Sequence, residues 1–206
     1  VKPKGILIWN KFSPAHLMLA LVAEHCHIPV VYMESGVLPG TLIFEQGGQM
    51  GESYPAVHSD EFKNLVVSCD DISKAEILQK NLKQNKLNRW TSSDPSVYDK
   101  SEKDIVLEQL AENRPTVFYA GQNDLESGLF PYNEITRKYH SPYFESSEEA
   151  AVYLAKICKE NNWNFLYKRH PMMRGIHCVE LPDNAIVSDN IDIHDAIDIA
   201  DLTVTI

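Results

Sequence analysis

The sequence predicts an α/β protein with parallel sheets whose two faces are covered by helices. Three observations support this prediction: short apolar, β-branched runs alternate with helical segments, a charged stretch interrupts the alternation midway, and polar loops follow the apolar runs. The chain has 206 residues, of which 44% are hydrophobic. That is enough for the core of one large or two small α/β domains, and it excludes a disordered chain.

The first elements predict a right-handed βαβ unit. The apolar residues 6–9 predict a short buried strand, and residues 30–33 predict the next strand. Between them, Ser13 and Pro14 supply an N-cap and an N1 proline, which predict a helix from Pro14 to His25. A further short strand is expected at 41–44. The order strand, helix, strand favours parallel pairing.

The composition changes between residues 61 and 113. Asp70 and Asp71 precede a run of basic side chains, an order that matches the helix dipole and predicts a helix over 72–85. A second helix is expected over 101–112. We interpret this region as a helical connector. Residues 1–112 are then one domain with the connector attached, and residues 113–206 are a second domain.

The strand pattern resumes after the connector. Strands are expected at 116–120, 163–167, 185–187 and 202–206, with a short helix near 193–199. Ser146 and Glu149 form a capping-box pattern in front of a helix over 150–159. The predicted sheets are parallel, so ligands are expected at the carboxyl ends of their strands.

Charge, hydropathy and cysteine content exclude several classes of protein. A net charge of −10 argues against a general nucleic-acid binder. The longest apolar runs, such as 17–23, are far shorter than the roughly 20 residues of a membrane span, and no signal peptide is evident, so we expect a soluble, cytoplasmic protein.

The four cysteines form no CxxC pair, which predicts free thiols. The chain lacks an initial Met and stops on a strand-like run, which suggests a piece of a longer protein.

Two polar loops follow the early strands. Glu34 and Gly36 come directly after the second strand, where doubly wound folds place catalytic groups, although a carboxylate there can also cap a turn. Gly47, Gly48 and Gly51 lie in the loop 45–53. Glycines at this density allow backbone amides to cradle an anion, or simply make the loop flexible. The loop matches neither the P-loop nor the GxGxxG fingerprint.

Two further loops follow strands of the second domain. The loop 119–127 contains Gln122, Asp124, Glu126 and Ser127, and a carboxylate there could act as nucleophile or base on an anomeric carbon. The alternative is a solvated acidic turn.

The fourth loop is basic. It contains Lys168, Arg169, His170 and Arg174 within seven residues, a concentration that favours an anion site over a solvated basic loop. The histidines elsewhere give little indication of a metal site.

Taken together, these loops resemble the bacterial capsule polysaccharide biosynthesis family, which includes the β-Kdo glycosyltransferases. The order and approximate spacing of its motifs fit nearly the whole chain. The matching segments are Tyr32-Met33-Glu34-Ser35-Gly36 with Pro39, Glu45 with Gly48, Gly121-Gln122 with Glu126-Ser127, His140-Ser141-Pro142, Lys168-Arg169-His170-Pro171 with Arg174-Gly175, and residues 199–206.

The resemblance implies a GT-B architecture of two Rossmann-like domains with the active site between them, and a chain truncated at both ends. CMP-Kdo would be the donor, held mainly by the C-terminal domain, and a saccharide or glycolipid would be the acceptor, with no metal or other cofactor. The donor-binding residues would be Gln122, Ser127, Lys168, Arg169 and Arg174.

The resemblance also assigns catalytic roles. Glu34 would be the acid/base and His170 would belong to the His-Pro loop. The family usually has an Asp four residues after the Gln, whereas this chain has Glu126 there and Asp124 two residues earlier. Either carboxylate could therefore be the nucleophile of a retaining transfer.

Two alternatives remain open from the sequence. One is a polyol-phosphate transferase of the teichoic-acid type, which uses a similar frame and a similar His-Pro loop. The other is a non-catalytic module of a polysaccharide assembly complex. The expected location is the cytoplasm, or peripherally the cytoplasmic face of the inner membrane.

Overall fold

The computed structural model describes residues 3–11, 13–49, 52–87, 100–124, 142–176 and 179–205. The chain divides into two units, Val1–Asp94 and Pro95–Ile206. The sequence placed this division at residue 112 instead. The assignment of an acceptor side and a donor side to the two units stays a prediction.

The first unit contains a three-stranded sheet in the order β1-β2-β3. Its elements are β1 (Ile6–Trp9), α1 (Pro14–His25), β2 (Val30–Ser35), β3 (Leu42–Glu45), α2 (Tyr54–Val57), α3 (Ser59–Lys63) and α4 (Cys69–Gln84). The small core beneath the sheet consists of Ile8, Ala20 and Tyr32, with Ile6 and Val30 packed against it. The predicted cap of α1 is confirmed, since the Ser13 side chain accepts from the His16 N–H.

The direction of β3 corrects the expectation of purely parallel sheets. β1 and β2 are parallel, with Ile8 opposite Tyr32, but β2 and β3 are antiparallel. Only residues 36–41 connect these two strands, which is too short for the crossover that a parallel pair needs. The Gly36 N–H donates to the Thr41 carbonyl at 2.8 Å and closes the hairpin.

The second unit contains a four-stranded, all-parallel sheet in the order β6-β5-β4-β7, as the sequence predicted for this part. Its elements are α5 (Lys100–Gln109), β4 (Thr116–Ala120), α6 (Ser147–Glu160), β5 (Asn164–Lys168), a 3₁₀ helix (Pro171–Met173), β6 (Ala185–Val187), α7 (Ile193–Ile199) and β7 (Leu202–Val204).

Helices cover both faces of this sheet. Tyr119 and Tyr167 pack on one face with Ala150, Ala151 and Ala155 of α6. The residues beside them in β4 and β5 point to the opposite face, because side chains alternate along a strand. There Phe118 of β4 and Leu166 of β5 pack in a second core cluster with residues from outside the two strands, namely Val106, Ile191 and Ala196.

Helix α5 belongs to the second unit and is not part of a separate connector. Its Val106 is only 1% exposed within the second core cluster. The Ser188 hydroxyl donates to Glu102 of α5 at 2.5 Å. Ala111 lies just after the helix, and both its N–H and its carbonyl are hydrogen-bonded to the Asn164 side chain at 3.0 Å. These contacts explain why the division falls before α5.

Cys26, Cys69 and Cys158 are free thiols, as predicted, and Cys178 lies outside the described residues. None of the helices in the described part of the chain combines the length and apolar character that crossing a bilayer requires.

Candidate active site

Three segments of the second unit meet at the carboxyl edge of its sheet. Ala120 at the end of β4 lies opposite Lys168 at the end of β5, and the Gly121 N–H donates to the Lys168 carbonyl at 2.9 Å. The Ser188 N–H, just after β6, donates to the Tyr167 carbonyl at 3.0 Å. Segments 121–124, 168–174 and 188–192 are therefore neighbours, and they contain most of the predicted donor-binding residues.

Lys168 and Arg169 are bonded within the protein. The Lys168 ammonium donates to the backbone carbonyls of Asp189 and Ile191, both at 2.7 Å, and burial lowers its pKa. The Arg169 guanidinium forms an ion pair with Asp189, with distances of 2.9 and 3.0 Å to its two carboxylate oxygens. Both cations therefore hold the loop after β6 against β5, in addition to any ligand they bind.

His170 and Arg174 complete the basic loop. The Met172 N–H donates to His170 Nδ1 at 3.2 Å, which requires Nδ1 to be unprotonated and leaves the ring hydrogen of the neutral form on Nε2. Arg174 is exposed, and its guanidinium donates to the Asp189 carbonyl. The structure thus brings three of the predicted basic-loop residues, Lys168, Arg169 and Arg174, into contact with Asp189, a residue that the sequence analysis did not single out.

Asp124 is buried, with 1% of its surface exposed, which contradicts a solvated turn at this position. Its two carboxylate oxygens lie 3.2 and 2.9 Å from the Ser147 N–H in the first turn of α6. A carboxylate is favoured there by the unpaired N–H groups and the helix dipole. Asp124 therefore fixes α6 to the end of β4.

Gln122 and Gly121 occupy the turn beneath this contact. The Ser147 hydroxyl accepts from the Gln122 N–H at 2.9 Å, and the Gln122 side chain donates to Thr205 after β7. A Cβ at Gly121 would lie 3.0 Å from the Tyr167 ring and 3.1 Å from the Ser147 hydroxyl. Only glycine fits this close approach without a shift of its neighbours. Glu126 and Ser127, which follow, lie outside the described residues.

Glu148 is a buried carboxyl that sequence reasoning treated only as part of a helix start. It is 2% exposed, and its Oε1 has no hydrogen-bond partner among the residues that the structure describes. Tyr167 hydrogen-bonds to it and Arg169 attracts it, but burial dominates and raises its pKa. Burial likewise raises the pKa of Tyr119 and Tyr167, whose rings stack 5.3 Å apart.

In the first unit, Glu34 lies in β2 and contacts Gln49. Gln49 Nε2 is 3.4 Å from Glu34 Oε2 and 3.3 Å from the Met33 carbonyl, while its Oε1 accepts from the Lys11 N–H at 2.6 Å. The ammonium of Lys11 pairs with Glu52. The glycine-rich loop predicted as an anion nest thus inserts a glutamine side chain between two strand ends.

Among the described residues, no group of three or more His, Cys, Asp and Glu side chains is arranged to hold a metal ion. His177 and Cys178 lie outside that part of the chain. The expectation that no metal or cofactor is needed stays a prediction.

No protein-family model and no curated protein sequence matches this chain. Solved structures do. The chain is similar to Thermosulfurimonas dismutans KpsC, a beta Kdo 2,4 transferase, with a TM-score of 0.60 and 17% identity over 100% of this chain and 65% of that one. A second match is the beta Kdo 2,7 transferase of the same KpsC, with a TM-score of 0.44 and 14% identity over 96% of this chain and 52% of that one.

The first likeness covers the whole chain and confirms, at the level of the fold, the resemblance that the motifs predicted. The chain spans less than two thirds of the length of either matched structure.

Proposed function

We propose that this chain is part of a glycosyltransferase that moves Kdo, or a related acidic sugar, from a CMP donor to a saccharide or glycolipid acceptor in capsule or O-antigen synthesis. The observation that carries the proposal is the cluster of Lys168, Arg169, His170 and Arg174 at the carboxyl edge of a parallel sheet. The fold around it is similar to that of a β-Kdo transferase.

The chemistry of this edge suits a phosphate-bearing donor. Three cations, Lys168, Arg169 and Arg174, lie beside Asp189 at this edge. The guanidinium of Arg174 is exposed and can bind a phosphate or a sugar carboxylate. His170 Nε2 can donate to the phosphate oxygen that departs with the electron pair.

Transfer with retention needs two carboxyl groups. In the proposed first step a carboxylate attacks the anomeric carbon while the bond to the CMP phosphate oxygen breaks, and CMP leaves with the bonding electrons. In the second step the acceptor hydroxyl displaces the carboxylate and gives its proton to Glu34. We assign the nucleophile to Glu126, because Asp124 is buried against the N-terminus of α6.

The proposal is tested by ligand-dependent thermal stability of the chain. CMP-Kdo and CMP should raise its Tm, since a ligand at a hundred times its Kd stabilises the folded state by about 2.7 kcal/mol. Arg174→Ala should reduce the CMP-Kdo shift. Arg114→Ala, which removes an exposed arginine before the amino end of β4, should not change it.

Stabilisation by CDP-glycerol but not by CMP-Kdo would favour the polyol-phosphate transferase instead. No response to either nucleotide would favour a non-catalytic module. If CMP-Kdo binds, the anomeric configuration of the product, determined by NMR, distinguishes retention from inversion, and an inverted product would eliminate the covalent step.

A further inference from the structure

We propose that Gln49 is a positioning residue that holds the carboxylate of Glu34 in a fixed orientation at the end of β2. The inference rests on the proposed function, in which Glu34 is the acid/base for the acceptor hydroxyl. It concerns a residue of the glycine-rich loop for which the sequence suggested only a backbone nest for anions.

The position of Gln49 is defined by both ends of its carboxamide. The side chain is buried, with 3% exposed. Its Oε1 accepts from the Lys11 N–H at 2.6 Å, just beyond β1, and its Nε2 faces the Met33 carbonyl and Glu34 Oε2 at 3.3 and 3.4 Å. One amide group therefore bridges the ends of two neighbouring strands and places a donor beside the carboxylate.

The surroundings keep Gln49 in place. The Glu52 N–H donates to the Gln49 carbonyl at 3.1 Å, which ties Gln49 to Glu52. Lys11 supplies the N–H that Gln49 accepts, and its ammonium pairs with Glu52 and lies 5.3 Å from the Tyr32 ring centre. A Cβ at Gly48 would lie 2.5 Å from the Glu52 Cβ, so only glycine allows Glu52 to approach this closely.

Ionisable groups of the neighbouring segments are bonded to other residues. Lys11 is already paired with Glu52, and the Glu45 carboxylate of β3 accepts from the Tyr54 N–H. His16 of α1 directs Nδ1 to the Asn10 carbonyl. A donated hydrogen bond favours the ionised form of a carboxyl group, which is the form that accepts a proton from a hydroxyl.

The test compares Gln49→Met with Gln46→Met. Both changes remove a carboxamide from the same loop, but Gln46 is exposed and serves as the control. We expect Gln49→Met to lower kcat for Kdo transfer about tenfold or more while KM for CMP-Kdo stays within about twofold, because Gln49 does not hold the donor.

A second readout does not depend on activity. Carboxyl-carbon NMR of the full chain at neutral pH should show a changed chemical shift for Glu34 in Gln49→Met and the wild-type shift in Gln46→Met. Gln49→Glu, which replaces the donor beside Glu34 with a like charge, should change the shift as well. An unchanged Glu34 carboxyl shift in both Gln49 variants would overturn the inference, even if transfer were lost. A changed shift in a chain that transfers no Kdo would support the positioning of Glu34 and reject the proposed function.

Discussion

The replacement Asp124→Asn tests the proposal that Asp124 holds α6 in place and is not the reacting carboxylate. The change keeps the shape of a side chain that is almost completely buried and removes its charge. A charge-assisted hydrogen bond, here to the Ser147 N–H at 2.9 Å, contributes about 1.5–3 kcal/mol. A negative charge at a helix N-terminus adds about 0.3–1 kcal/mol.

One neighbouring group offsets part of this loss. The charge of Asp124 contributes to the raised pKa of Glu148, so its removal relieves a repulsion between two buried carboxyl groups. We therefore expect a net loss of about 2 kcal/mol in the free energy of unfolding. At about 4 °C per kcal/mol for a domain near 100 residues, the Tm should fall by about 8 °C.

The assay measures urea and thermal unfolding of the chain together with the initial rate of Kdo transfer well below the Tm. Asp124→Asn should keep at least about a tenth of the wild-type rate, a barrier difference of no more than about 1.4 kcal/mol, whereas Glu126→Gln should be inactive yet bind CMP-Kdo. Asp183→Asn, which alters an exposed carboxylate paired with Lys159, should leave the Tm unchanged.

The opposite pattern would refute the reasoning. Full stability with complete loss of transfer in Asp124→Asn would make Asp124 the nucleophile. Full activity of both variants would remove the nucleophile from this loop altogether.

Three further predictions concern the same edge of the sheet. Burial raises the pKa of Glu148 in the folded state, so the folded chain retains a proton that the unfolded chain loses as the pH rises above about 4.3. The contribution of this group to the free energy of unfolding therefore decreases with rising pH. Urea unfolding from pH 4 to 8 should show Glu148→Gln gaining stability relative to wild type over that range. Gly121→Ala forces a Cβ against Tyr167 and should cost about 1–3 kcal/mol in the same unfolding assay. His170→Ala should abolish transfer with little change in Tm, whereas Lys168→Ala should weaken donor binding, less so at high salt, and also lower the Tm by releasing two backbone carbonyls.

The control for Gly121→Ala comes from the first unit. Gly5→Ala places a Cβ at an ordinary 3.5 Å from its neighbour and should leave stability nearly unchanged. A pH-independent difference between Glu148→Gln and wild type would contradict the assignment of a raised pKa. Equal Tm values for Lys168→Ala and wild type would contradict a structural role for the ammonium group.

The sequence by itself determined the secondary structure wherever the signal is local. The predicted bounds of β1, α1, β4, β6 and α7 agree with the structure, because strands and helix caps are specified by residues within a few positions of one another. The motif series also pointed to the fold, which the structural likeness to a β-Kdo transferase confirms. The sequence likewise placed the basic loop at a strand end.

Only the tertiary structure decided how the polar residues are used. Asp189 pairs with Arg169 from 20 residues away, Ser147 captures Asp124 from 23, and Gln49 reaches Lys11 from 38. Such pairings depend on which strands become neighbours and on how deeply each side chain is buried. The periodicity of the sequence indicates neither which strands are neighbours nor how deeply a polar side chain is buried. Asp124, for which the sequence left open a reacting carboxylate or a solvated turn, is buried against the start of a helix, and the loop 45–53, for which it left open an anion nest or a flexible loop, places Gln49 beside Glu34.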